Sequence, residues 1–292
     1  MSLKTRTGGA LTFPRFAALT AATTLTLVSL GVYTSATGSG LACSAQWPLC
    51  DGGVLPQTVP SFIEWFHRLV AMVTGFLILG VAAWSWYAPE ADRRTAATAT
   101  LAAVLLPLQV TVGAVTVTLS GMVPGGYAVS THAAHLFVAL TIFTALTVTS
   151  LRALDGSYSD SAAERARRAL AAAAVVIALT ALFSRVVPVV PYIPSAQATF
   201  VGIGLAGYAS LVAAVRWLPD RPLDRALSLV AAAAVVVALV LGRDLVVYTG
   251  QVRLVNAAAL VVAVGAAILA AWRVGSTSVT PSSDPVTSDR TT

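Results

Sequence analysis

The chain has 292 residues, of which 57% are hydrophobic and only 10% charged, and its mean hydropathy is +0.82. That balance is too apolar for a soluble domain of this length and describes an integral membrane protein. The net charge of +6 belongs to membrane topology; it is not a nucleic-acid footprint, because the basic residues gather at the ends of apolar runs.

A helix needs about 20 apolar residues to cross a hydrocarbon core of roughly 30 Å. Eight such windows recur, near residues 16–37, 62–87, 96–119, 128–151, 169–187, 197–217, 226–247 and 252–272. The expected fold is an all-α membrane protein of about eight transmembrane helices, built as two pseudo-repeated four-helix bundles with both termini cytoplasmic. With the N-terminus inside, 14 of the 18 Lys and Arg residues fall on the inner side, as basic residues do in membrane proteins. The others, Arg68, Arg185, Arg243 and Arg253, mark outer helix ends. Basic residues precede the first window, but its length and the seven windows behind it make it a helix rather than a signal peptide. The expected division is an N-terminal half over 1–151, a cytoplasmic linker over 152–168, a C-terminal half over 169–273 and a polar, disordered tail over 274–292.

Taken in order, the first helix ends in the turn-forming run Thr37-Gly38-Ser39-Gly40. The outer loop that follows carries both cysteines, Cys43 and Cys50, on the side where oxidation is permitted. Their spacing suggests one disulfide, and two roles stand open for it: a loop staple, or a redox pair exchanging with a thiol partner. The second helix is expected to begin around Ser61, with Pro60 before it and Ser61 capping its first turn. Glu64 and His67 follow one turn apart on a shared face. Ionisable groups in a membrane helix are costly and mark function or a partner. Arg68 also offers Glu64 a plain interfacial pair.

The third window contains Pro107, Gln109 and Gly113; the glycine admits close helix approach, and the glutamine suits a bond across helices. The fourth opens VSTHAAHL, with His132 and His135 one turn apart. The protein has three histidines, all on the second and fourth helices, which run in the same direction and carry them at similar depth. Two imidazoles facing each other across a four-helix bundle hold a haem iron from both sides. Spacing leaves open whether His132 or His135 is the ligand; His135 lies deeper, and His132 suits a supporting or proton-handling role. Zinc is the rival metal, but it would ask for more ligands than Glu64 adds.

In the second half, Gln197 falls where the Glu64–His67 turn would recur, and Asn256 where His135 would. Neither is a customary haem-iron ligand, and no second haem is expected.

The runs TGSGLAC at 37–43, CSAQWPLC at 43–50, IEWFHR at 63–68, LQVTVGAVTV at 108–117 and the His-Leu pair at His135 resemble the haem A synthase family. These are eight-helix membrane enzymes that convert haem O to haem A for cytochrome oxidase assembly. The resemblance covers the first half in order. It implies an oxidoreductase that oxidises the C8 methyl of haem O to a formyl group through successive hydroxylations and loss of water. It assigns Glu64 as the catalytic residue, His67 and His135 as the haem-iron ligands, and Cys43 and Cys50 as the family's outer-loop pair. Arg68 and His132 are the supporting candidates, Arg68 for a haem propionate or for holding Glu64 ionised. The bound species is haem O, haem A or haem b. The expected partners are haem O, membrane lipid, a haem O synthase, an electron donor and a thiol–disulfide partner, with a homo-oligomer left open and no nucleic acid. The family's complete members carry a second histidine pair that Gln197 and Asn256 replace. A non-catalytic haem carrier, an electron-transfer protein and a degenerate assembly factor therefore stand as alternatives. An N-terminus without a Ser/Arg-rich amphipathic presequence points to a prokaryotic plasma membrane.

Overall fold

The computed structural model describes residues 11–43, 46, 49–122, 128–187, 189–242 and 245–276. They form eight α-helices: α1 (Phe13–Ala36), α2 (Val59–Ser85), α3 (Arg93–Ser120), α4 (Val129–Leu154), α5 (Ala162–Leu182), α6 (Pro194–Trp217), α7 (Pro222–Leu241) and α8 (Gly250–Ser276). Seven of these are long and apolar enough to cross a membrane, and the protein has the make-up of a multi-spanning membrane fold. The one outside that count is α5, because its first two turns carry Glu164, Arg165, Arg167 and Arg168.

Local chemistry explains where the helices start. Pro14, Pro60, Pro194 and Pro222 stand in first turns, where a missing N–H costs nothing. Thr58 caps α2 by accepting from Ser61 N–H at 3.2 Å, so the expected cap at Ser61 is corrected: Ser61 already lies inside the helix, and its hydroxyl donates to Asp51 at 2.9 Å. Asp92 caps α3, and Ser161 caps α5. Threonines within the spans silence their hydroxyls on the carbonyl one turn back, as Thr20, Thr24 and Thr34 do in α1, which is what a hydrocarbon setting demands.

Three boundaries differ from expectation. The stretch 152–168 is largely helical: α4 runs to Leu154 and α5 starts at Ala162, because Ser161 caps and Glu164 pairs with Arg167 and Arg168 along the first turns. The fifth helix stops at Leu182, five residues before the expected end. The eighth continues to Ser276, so the expected tail loses its first three residues to helix; the rest of that tail and most of the basic N-terminal lead lie outside the described residues.

Helices α1 to α4 pack as neighbours in a ring, α1 on α2, α2 on α3, α3 on α4 and α4 back on α1, and α5 to α8 do the same. The two halves meet where α6 packs on α1 and α4. At one end, carboxylates tie helices together: Asp92 to Arg152 at 2.9 Å, Asp155 to Arg216 at 2.6 Å, and Asp224 to both Arg221 and Arg273 at 2.7 and 2.8 Å.

The apolar core is unevenly distributed. One cluster fills the second half and its joint with α1 and α4, including Phe200, Leu205, Leu211, Leu239 and Leu260. A smaller one, around Phe13, Ile78, Val81 and Leu146, fills only the end of the first half where α1 begins. At the other end of the first half, α2 buries no apolar side chain before Ile78 and α3 none after Ala102; what they bury there is Ser61, Glu64, Thr74, Thr116 and Ser120. That gap in the core is where the histidines stand.

Candidate functional site

The site is built from α2 upward. Glu64 and His67 lie on its first two turns, with Glu64 only 2% exposed and His67 half-buried. A carboxylate buried to that degree must be bonded at both oxygens, and it is. Oε2 accepts from the Cys43 backbone N–H at 2.6 Å, and Oε1 pairs with the Arg68 guanidinium. Arg68 in turn donates to the Gln46 carbonyl at 2.6 Å. The carboxylate and its guanidinium partner thus pin the outer loop onto the helix from two sides.

That loop is closed by a disulfide between Cys43 and Cys50, both buried. Its sulfurs lie against the Ser61 carbonyl at 3.4 and 3.8 Å. After Cys50 the chain reverses through Asp51 (φ 54°) and Gly52 (φ 76°), with Cys50 and Gly53 exchanging both backbone bonds at 3.0 Å. Two successive residues with positive φ are the signature of a type I′ turn, which the Asp-Gly dipeptide favours. Asp51 then accepts from Gln57 N–H at 2.8 Å and from the Ser61 hydroxyl, contacts that hold its carboxyl below the ordinary range.

The histidines fit into the neighbouring helices through glycines. A Cβ added at Gly31 on α1 would meet His67 Cε1 at 3.1 Å, and one added at Gly113 on α3 would meet His135 Cε1 at 3.0 Å. Each imidazole therefore occupies the space that a side chain on the adjoining helix would take. His67 and His135 are near enough across the bundle to interact electrostatically. Gln109 Nε2 lies 3.1 Å from His135 Nε2, so a bond across helices does form, and its partner is a histidine. His67 Nδ1 and Gln109 Oε1 are buried without a hydrogen-bond partner. His132 turns back to its own first turn, Nδ1 lying 2.9 Å from the Ala128 carbonyl.

The structure therefore gathers Cys43, Cys50, Glu64, His67, Arg68 and His135 at one end of the first half, and leaves His132 bonded to its own helix. Sequence reading missed Gly31, because nothing in the run SLGVY names the ring that its missing side chain accommodates. It also missed the Asp51-Gly52 turn, although that dipeptide was a visible signal. Among the described residues, no three His, Cys, Asp or Glu side chains converge as a metal cluster. Two facing imidazoles, a gap in the apolar core and orphaned buried polar atoms suit a planar group held between α2 and α4. In the second half, Gln197 and Asn256 are buried, 7% and 0% exposed, and both polar atoms of Asn256 lack a hydrogen-bond partner. Phe200, one turn after Gln197, is fully buried in the large apolar cluster.

Eight long helices, seven of them apolar enough to cross a membrane, with histidines gathered near a disulfide-closed loop, have the make-up of a multi-spanning membrane protein. Residues 57–185 match the family model described as cytochrome oxidase assembly protein, COX15-CtaA, a stretch that contains Glu64, His67 and His135. The chain is 41% identical over 88 residues to a haem A synthase of Bacillus licheniformis, covering 30% of this chain and 29% of that protein. It is 31% identical over 150 residues to a haem A synthase of Geobacillus kaustophilus, covering 51% and 45%. It is also 34% identical over 153 residues to a protoheme IX farnesyltransferase of Halobacterium salinarum, covering 51% and 32%. The chain spans less than half the length of the curated relatives it matches. At the level of the family, the chain is a match to the haem A synthases of the COX15-CtaA group.

Proposed function

We propose that this protein is a membrane oxidoreductase of the haem A synthase type, taking haem O as substrate and oxidising its C8 methyl to a formyl group. One observation carries the reading: Glu64-x-x-His67 on α2 and His135 on α4 stand at the end of the bundle where α2 and α3 bury no apolar side chain, each imidazole against a glycine of the next helix. The family match and the relatives named haem A synthase support it. The farnesyltransferase relative supports a farnesylated haem as the substrate class and a prenyl-transferring enzyme as its supplier.

His67 and His135 would hold the iron, and bound haem O supplies both the iron and the methyl group that is oxidised. The electrons removed from the methyl must pass to an acceptor, and the formyl oxygen must come from water or dioxygen, neither of which the chain supplies; binding, orientation and proton handling are work for the chain's own groups. Glu64 presents a carboxyl group paired with Arg68 and fixed by Cys43 N–H; it is placed to take up a proton or to stabilise positive charge developing at the methyl carbon. Buried away from solvent, a charge there would act strongly. The disulfide-closed loop covers this end of the site, and Arg68 is the group nearest to hand for a propionate. The membrane is the plasma membrane of a prokaryote, both termini are cytoplasmic, and the two halves are pseudo-repeats of which only the first carries haem ligands.

A second reading, a haem-binding membrane protein without catalysis, is favoured by Gln197 and Asn256 standing buried where ligands would recur. Expression beside a haem O source, followed by pigment extraction, separates the readings. Haem A or a hydroxylated haem is the expected product. Unchanged haem in full occupancy would mean a carrier, and a colourless protein an assembly factor.

A further inference from the structure

A groove of about 620 Å³ opens between the two halves, far from the histidines, where α1, α4, α5 and α6 come together. Its walls are small and apolar, with Ala22 on α1, Ala172 on α5 and Ala209 on α6, and Phe143 of α4 lies along it. At its mouth, by the α4–α5 connection, stand Tyr158, Asp160, Arg165, Arg168 and Trp217. Arg165 is the unusual member. Its guanidinium lies over the Tyr158 ring at 4.7 Å and the Trp217 ring at 5.2 Å, and its Nε is buried with no hydrogen-bond partner.

The neighbouring charges do not balance it. Arg167 pairs with Glu164, Arg168 with Glu164 and Asp160, and Arg216 with Asp155. Three guanidiniums thus take up the three carboxylates, and among the described residues Arg165 makes no ion pair. Stacking on two aromatic faces orients a guanidinium without neutralising it. A cation so held, at the membrane-surface end of an alanine-walled slot, matches a molecule that has a phosphate at one end and an alkyl chain at the other.

We propose that this groove is a binding site for one anionic phospholipid, its phosphate on Arg165 and one of its chains laid along the alanines of α1, α5 and α6. The lipid would then fill the groove at this end of the joint, beside the apolar cluster that already packs α6 against α1 and α4.

The test is native mass spectrometry of the full chain, released from detergent containing equal amounts of a phosphatidylglycerol and a phosphatidylcholine of the same chain length. One lipid retained per chain is expected, with phosphatidylglycerol favoured by about fivefold. Arg165→Gln is expected to abolish the preference, and Arg165→Lys to keep most of it. Ala209→Leu, which fills the slot and leaves the guanidinium in place, is expected to lower retention of both lipids. Should Arg165→Gln fail to fold, the lysine and leucine variants carry the test. Equal retention of the two lipids by the wild type, or a preference that survives Arg165→Gln, would overturn the proposal. So would displacement by millimolar glycerol phosphate as effective as by lipid, which would mean a bare anion site, or a lipid-free dimer joined through the groove.

Discussion

At the scale of single residues, Glu64 holds two jobs that substitutions can separate. Its oxygens secure the Cys43 N–H and Arg68, so Glu64→Ala leaves the Cys43 N–H without its acceptor and Arg68 without its carboxylate, a loss of about 1–3 kcal/mol for an unsatisfied buried donor. Glu64→Gln keeps an acceptor for the backbone and removes only the charge. If the carboxylate serves the chemistry, Glu64→Gln should stay folded, bind haem and yield at least about a hundredfold less haem A, as expected when a general base is lost; undiminished haem A from that variant would reduce Glu64 to a pin. The glycines give a second prediction. Gly113→Ala places a methyl 3.0 Å from His135 Cε1, and the ring must yield by a few tenths of an ångström. Crowding of that kind costs about 1–3 kcal/mol, so haem retained per chain, read from its absorbance after extraction, should fall several-fold. Gln109→Leu should leave haem content intact, because it removes only the amide that now faces His135 Nε2. The ligand-type residues were legible because ionisable groups stand out in apolar runs. The glycines were not, since an absent side chain carries no sign of what fills its place.

At the scale of elements, caps and clamps fix how the helices enter the membrane. Asp92 accepts from the Thr95 N–H and hydroxyl at 2.7 and 2.6 Å and pairs with Arg152 of α4. These contacts, the Thr95 hydroxyl first, then its N–H and then Arg152, hold the Asp92 carboxyl well below the usual range. A depressed carboxylate stabilises the fold at pH values above its unfolded pKa of about 4, and that contribution disappears as pH falls through the folded value. Asp92→Ala should therefore cost about 1 kcal/mol at pH 7, a typical cap, and lower Tm in detergent by about 2 °C. The gap between wild type and variant should narrow steadily as the pH falls below about 4. A gap of the same size at pH 7 and at about 2.5 would show that the carboxylate charge is not what caps α3. The sequence reading passed over Asp92 as a cap, and the capture of Arg152, 60 positions later, depended on α3 and α4 lying side by side.

At the scale of the whole molecule, the two halves share a helix arrangement and differ in what fills it. The second half is packed through its length by Phe200, Leu205, Leu239 and Leu260, while at the site end of the first half α2 and α3 bury no apolar side chain. Restoring one histidine should then be insufficient to create a second site. Asn256→His is expected to keep the wild-type ratio of one haem per chain, measured as iron and extracted haem against protein. Two haems in either form would show that the second half opens more readily than its packing indicates.

The sequence by itself determined that the chain is built of long apolar helices of the kind that cross a membrane, and it singled out Glu64, His67, His135 and the cysteine pair as candidates for its chemistry. Those properties follow from composition and short-range spacing, which a linear chain displays directly. Only the tertiary structure decided that Glu64 binds the disulfide loop and that Gly31 and Gly113 make room for the imidazoles. It alone decided, too, that α2 and α3 bury no apolar side chain at the histidine end and that Arg165 is left over at the joint. Each of these depends on which helices become neighbours and how close they come, and packing between distant segments is written nowhere in local sequence.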